Sequence, residues 1–195
     1  GLICSGPRIG KQFSYALLDE RCPQTKPFTR EEALATFLLR YFKSRGPATL
    51  HDFTYWSGLT LKDARAGIES ISNELHRITF GDKQYFSANI KLPEIGNGQD
   101  TFLMPDYDEY GMSYKDRSAL RASLKDGKSA NTPLSAFGHY IVIDGTIQGS
   151  WQDEVAKDSL TVSSKFIKPL SANGMKKFNK ALKSYSRFLG KKLGS

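Results

Sequence analysis

Three capped helical patterns in close succession, a strand–turn–strand pattern directly after them, and a later series of short strand patterns closed by one long amphipathic helix predict an α+β chain. Read in order, they give a winged helix (three helices plus a β-hairpin wing), then a small antiparallel β-rich domain and a C-terminal helix. The expected division is 1–27 for N-terminal strands and a linker, 28–90 for the winged-helix domain, and 100–195 for the β-rich domain with its terminal basic helix.

Leu2–Ser5 and Gln12–Leu18 are apolar enough for two short strands, and Gly6-Pro7-Arg8-Ile9-Gly10 between them is turn chemistry. Cys22–Pro27 is a polar, proline-containing linker. Thr29 and Glu32 then form an S/T-x-x-E capping pattern. Leu34, Phe37, Leu38 and Tyr41 follow on one helical face, and Gly46-Pro47 stops the helix. Thr49 caps a second, short helix over His51–Ser57, whose Phe53 and Trp56 share the inner side, and Gly58 ends it. Thr60 caps a third, with Leu61, Ala64, Ile68 and Ile71 on one face. Leu75–Phe80 and Gln84–Ala88 flank Gly81-Asp82-Lys83 as a hairpin.

The turn Trp56-Ser57-Gly58-Leu59 has the short, glycine-containing form of helix-turn-helix units, which makes the third helix the expected recognition helix. Its outer side offers Lys62, Arg65, Glu69 and Asn73. Lys62 and Arg65 are placed to reach phosphate or base edges, and the hairpin tip offers Lys83 and Gln84. The same arrangement also serves as a protein-interaction module, and Asp63 and Glu69 dilute this positive face. Local features therefore leave DNA contact and protein contact both open.

Residues 90–100, IKLPEIGNGQD, read as a linker. Thr101–Met104 is a short strand pattern, a helix is expected over Lys115–Leu124, and Tyr140–Trp151 is a hairpin turning on Asp144-Gly145, a favoured type I′ pair. Leu160–Ile167 supplies another strand. In the last helix, Ala172–Leu189, Met175, Phe178, Leu182, Tyr185 and Leu189 recur at spacings of 3, 4, 3 and 4 and face inward. Lys176, Lys180, Lys183 and Arg187 recur at 4, 3 and 4 on another face. Cations in one such stripe hold phosphates without reading base sequence.

The charge distribution agrees with that stripe. The net charge is +8, yet residues 1–164 hold 19 basic and 20 acidic side chains; the nine Lys/Arg from Lys165 onward, with no acid among them, carry the whole excess. Such a surface suits polyanions, and a solvated lysine-rich face is the alternative. With 195 residues, 39% of them hydrophobic, the chain is large enough for a real core. No apolar run is long enough to cross a bilayer, and no secretory signal pattern opens the chain. Cys4 and Cys22 form no C-x-x-C, and His51, His76 and His139 are scattered, which argues against structural zinc. Two lone thiols suggest a reducing, cytoplasmic compartment. The expectation is a monomer without metal or cofactor.

Four stretches then become informative together: LICSGPRIGKQFSYALLDER, FKSRGPATLHDFTYWSGL, LMPDYDEYGMSYKDR and VIDGTIQGSW. They resemble, in the same order and over nearly the whole chain, the bacterial winged-helix DNA-binding family that includes the AlkZ/YcaQ-like DNA glycosylases. The resemblance implies enzymes that unhook interstrand crosslinks and excise alkylated bases. It implies proteins longer than this chain, with tandem winged helices before a small β-rich domain, of which this chain corresponds to the C-terminal part. It also implies a catalytic Gln-x-Gln or Gln-x-Asp pair near the start of the full protein. None of Gln12, Gln24, Gln84, Gln99, Gln148 and Gln152 has Gln or Asp two positions later, so no catalytic residue carries over.

Asp106, Asp108, Glu109 and Asp116 stand out in the stretch LMPDYDEYGMSYKDRS at 103–118. They fit a divalent-cation site, a general acid/base pair of an autonomous enzyme, or a turn whose acids bond local amides and pair with Lys115 or Arg117. The DEY…Y-x-DR pattern of the resembled family favours the turn, with Lys115 and Arg117 left as phosphate contacts oriented by the carboxylates. Tyr107, Tyr110 and Tyr114 are expected to cover the sheet with wet hydroxyls. Trp151 has two readings, a base-stacking platform or a core residue against the last helix. The reading as a whole is a partner of double-stranded DNA: Lys62 and Arg65 at the groove, Lys83, Lys115 and Arg117 on the backbone, and Lys176, Lys180, Lys183 and Arg187 on phosphates. A winged-helix transcription regulator or interaction module without catalysis is the alternative.

Overall fold

The computed structural model describes residues 2–22, 27–88, 101–120 and 139–194. Most of the two expected linkers and residues 121–124 of the expected helix lie outside the described residues. The chain opens with strands β1 (Ile3–Ser5) and β2 (Tyr15–Leu17), paired antiparallel, and a short helix α1 (Leu18–Arg21). Ile3, Phe13, Tyr15 and Leu17 of this hairpin are exposed.

Helices α2 (Arg30–Arg45), α3 (Leu50–Ser57) and α4 (Leu61–Ser70) start where the capping residues demand. Thr29 Oγ1 accepts from the Glu32 N–H, and the Glu32 carboxylate accepts from the Thr29 N–H, closing the box expected from the sequence. Thr49 and Asp52 form a second such box, and Thr60 Oγ1 accepts from the Asp63 N–H. Gly58 ends α3 at a φ of 72°, a conformation costly for any residue with a Cβ. Strands β3 (His76–Phe80) and β4 (Lys83–Ser87) follow as an antiparallel hairpin. Phe80 pairs with Lys83, so the turn is the two residues Gly81-Asp82, and Lys83 belongs to the strand rather than the loop. Ala48 exchanges both backbone hydrogen bonds with Phe86, tying the α2–α3 connection to this hairpin.

The first core forms where these elements meet. Leu38, Tyr41 and Phe42 of α2, Phe53 of α3, Ala64 and Ile68 of α4 and Phe86 of β4 are all buried in it. The Tyr41 ring meets Phe53 edge-on at 5.3 Å, and Trp56 packs half-buried beside it.

The second core lies under a five-stranded sheet of order β5-β6-β7-β8-β9, formed by Thr101–Met104, Tyr140–Ile143, Thr146–Val155, Ser159–Phe166 and Lys192–Leu193. Asp144 and Gly145 make the β6–β7 turn, both at positive φ. The expectation of an all-antiparallel sheet needs one correction: β8 and β9 are parallel. Helix α6 (Ala172–Leu189) lies between them in sequence, and a helical crossover between neighbouring strands leaves them parallel. Phe178 anchors α6 against Ile141, Ile143 and Trp151. Trp151 is a core residue: it is buried, its Nε1–H donates to the Met104 carbonyl at 3.0 Å, and its ring meets Tyr185 edge-on.

The helix expected over Lys115–Leu124 is replaced by a shorter one earlier, α5 (Glu109–Met112), and a 3-10 turn over 118–120. The Asp108 carboxylate captures the Tyr110 N–H and starts α5 there. The amides of Lys115 and Asp116 instead serve Asp52, so they are not available to a helix. Two tyrosine hydroxyls are bonded rather than wet: Tyr110 donates to the Gly145 carbonyl and Tyr114 to that of Arg45. Tyr114 packs on the first core, not on the sheet. Among the described residues, no helix is long and apolar enough to cross a membrane.

Candidate nucleic-acid interface

Helix α6 begins at Ser171, whose Oγ accepts from the Gly174 N–H, and ends at Gly190 with a φ of 64°. At about 100° per residue, Lys176, Lys180, Lys183 and Arg187 fall within an arc of about 60° centred opposite Phe178. Burial of Phe178 therefore turns all four outward, and all four are exposed. Among the described residues, the side chains of Lys176, Lys183 and Arg187 have no hydrogen bond or ion pair. Lys177, on the flank of the stripe, is committed elsewhere: its ammonium sits 2.7 Å from both carboxylate oxygens of Asp144.

A second group of cations gathers around helix α4 and the β3–β4 hairpin. Here a cavity of about 860 Å³ opens between the start of α3, the hairpin tip and residues 114–120. Arg65, Lys83 and Lys115 line it together with His51, over an apolar floor that includes Leu50, Leu61 and Phe86. Lys62 and Arg65 are exposed on α4. Lys83 is not free: its ammonium is 2.5 Å from Asp116. Arg117 stands apart from the cavity lining, half-buried against α3, where its Nη2 donates to the Tyr55 hydroxyl at 2.7 Å. Its Nε is buried without a hydrogen-bond partner.

Residues 105–118 strap this region to the helices, and the acidic residues supply the fastenings. Glu109 Oε2 accepts from Arg45 Nη2 (2.8 Å), Trp56 Nε1 (3.0 Å) and Ser113 Oγ (2.7 Å). The Ser113 bond first, then those from Arg45 and Trp56, hold the Glu109 carboxyl below its ordinary range. The Arg45 guanidinium also lies over the Trp56 ring, 4.8 Å from its centroid. Asp116 accepts from Lys83 and caps the Ser118 N–H, and these bonds hold its carboxyl far below the carboxylate range. Asp108 caps α5, and Asp106 lies 3.7 Å from the His139 ring nitrogen. The acids thus act as the turn reading expects, but with different cations: Arg45 and Lys83 in place of Lys115 and Arg117. Among the described residues no three His, Cys, Asp or Glu side chains are grouped as a metal ion requires.

Asp52 is the residue that sequence reasoning missed. Buried at 4% exposure, its carboxylate accepts from the N–H and hydroxyl of Thr49 and from the N–H groups of Lys115 and Asp116. It thereby caps α3 and fixes the backbone that carries Lys115. The signal for the first duty was present, since Thr49-x-x-Asp52 has the spacing recognised at Thr29-x-x-Glu32. The second duty had no local signal, because Lys115 is 63 residues away.

No curated protein is matched by this chain. Its fold is similar to that of a solved structure, the Streptomyces sahachiroi DNA glycosylase AlkZ, with a TM-score of 0.70 at 20% identity over 98% of this chain and 54% of that one. The chain thus spans about half the length of that relative. A family described as "DNA glycosylase AlkZ-like" is matched by residues 1–188, nearly the full length, and to that family of AlkZ-like DNA glycosylases the chain belongs.

Proposed function

We propose that this chain is the duplex-holding portion of a DNA-repair glycosylase-like protein that acts on alkylated or crosslinked bases, with the catalytic residues outside the sequence described. The single observation that carries the reading is the outward stripe of Lys176, Lys180, Lys183 and Arg187 on a helix whose opposite face is anchored by Phe178. Helices α2, α3 and α4 with the β3–β4 hairpin are read as a winged helix, and the five-stranded sheet with α6 as a second domain. Lys62 and Arg65 lie at the groove of the duplex. Lys83, Lys115 and Arg117 meet its backbone. The family, in which DNA is the substrate, supports this assignment. The four stripe cations need no fixed geometry to act, because phosphate contact is set by charge and counterion release.

A titration of duplex DNA at rising salt tests it. Each phosphate contact contributes about 0.9 to the slope of log K against log salt. The variant K176Q/K180Q/K183Q/R187Q is expected to bind more weakly, with a slope shallower by about 3–4. Its stability should hold, since none of the four is buried. An unchanged slope removes the stripe from the interface.

A further inference from the structure

The cavity between the hairpin tip and the strap holds cations of two kinds. Arg65 and Lys115 enter it unpaired among the described residues, whereas Lys83 enters it bound to Asp116. The Lys83–Asp116 pair joins residues 33 apart in sequence, and both side chains remain 45% exposed. A pair so exposed contributes little to stability, because water screens the two charges. Its backbone supports lie elsewhere: the Asp116 N–H is held by Asp52, and Oδ1 of Asp116 caps the Ser118 N–H. The Asp116 oxygen that meets Lys83 is therefore not needed to keep the strap in place. It is a carboxylate at the mouth of a cationic cavity, in contact with the one lysine of the hairpin tip.

Resting on the DNA-holding role given above, we propose that Asp116 occupies in the free protein the position a DNA phosphate takes in the complex. Binding exchanges Lys83 from the Asp116 carboxylate to a phosphodiester seated in this cavity with Arg65 and Lys115. Asp116 is then an internal competitor of the ligand. A phosphate oxygen is as good an acceptor for the ammonium as a carboxylate oxygen, so the exchange loses little contact energy. Once Lys83 has moved, the bare Asp116 carboxylate faces the incoming phosphate and repels it. The net effect is an interface held weaker than its cations alone allow.

The test is a double-mutant cycle on the whole chain with undamaged duplex DNA as the probe. Asp116→Asn keeps an oxygen for the Ser118 cap and removes the charge that holds Lys83. It is expected to tighten binding several-fold and to steepen the salt slope by up to about one phosphate equivalent, 0.9. In the Lys83→Gln background, the same Asp116→Asn change is expected to recover only a fraction of that gain, the part due to lost repulsion. An Asp116→Asn variant that binds no tighter, or whose gain is equal in both backgrounds, overturns the competitor role while leaving the DNA-holding role intact. Absence of salt-dependent duplex binding by the unaltered chain overturns both together. Matching thermal melts of the variants confirm that the strap is undisturbed.

Discussion

At Asp52 and Glu109 a single carboxylate does work for two parts of the chain. Asp52 satisfies the start of α3 and the amides of Lys115 and Asp116 at once. A buried carboxylate is tolerable there only because four donors face it. Glu109 collects Arg45, Trp56 and Ser113, and through Ser113 it meets the first core, since the buried Tyr41 hydroxyl donates to the Ser113 carbonyl at 2.8 Å. Burial pushes that Tyr41 hydroxyl well above its ordinary value, so it stays protonated and donating. The lowered Glu109 carboxyl makes stability depend on acid. It binds its proton less readily when folded than when unfolded. Its contribution is thus present above the unfolded value, near pH 4, and is lost as pH falls through the lower folded one. Glu109→Gln is expected to cost about 1 kcal/mol near neutral pH. That deficit should shrink towards zero as the pH falls through the lowered folded value of the Glu109 carboxyl. Denaturant melts of both proteins along a pH series measure the convergence, and a constant gap would detach Glu109 from the acid limb.

Element by element, what the chain declares locally survives, and what depends on a partner element does not. Helices α2, α3 and α4 begin at the capping residues read from sequence, α2 and α3 end at the expected stops, and α6 has the expected bounds, because N-caps, proline stops and left-handed glycines act within a few residues. The helix expected at 115–124 fails at its start for the opposite reason: its first amides are spent on Asp52, in another element. The α2–α4 contact is equally non-local. A Cβ on Gly67 would lie 2.2 Å from Leu38 Cδ1 and 2.8 Å from Leu34 Cγ, so the two helices approach more closely than any side chain allows. Gly67→Ala gains up to about 1 kcal/mol of helix propensity. It also incurs an overpacking cost of about 1–3 kcal/mol, because Leu38 is fully buried and cannot swing aside. Net destabilisation by about 1 kcal/mol is expected in urea titration, and Leu38→Ala in the same chain should relieve the clash at the expense of a cavity. A Gly67→Ala chain more stable than the original would mean that α2 and α4 are not in this contact.

For the molecule as a whole, the two cationic groups raise the question of one duplex or two surfaces. If a single duplex spans the α6 stripe and the Arg65/Lys115 cavity, their losses are additive. A variant carrying the four stripe changes plus Arg65→Gln and Lys115→Gln should show a slope shallower than the stripe variant's by about 2 further units. If binding through the cavity is separate, the combined variant will match the stripe variant in a titration with a short duplex. The family was legible in the order of four motifs, and the amphipathic stripe of α6 in its spacing alone, since a basic face opposite an apolar one needs no tertiary knowledge to recognise. The partners of the acids were not. Glu109 pairs with an arginine 64 residues away and Asp116 with a lysine 33 residues away, while the expected neighbours Lys115 and Arg117 go to neither. By itself the sequence determined where α2, α3 and α4 start, where α2 and α3 stop, and which face of α6 carries the charge, because these follow from interactions within a turn or two of chain. Only the tertiary structure decided which cations are free and which are held, because that depends on which carboxylate folding carries alongside them.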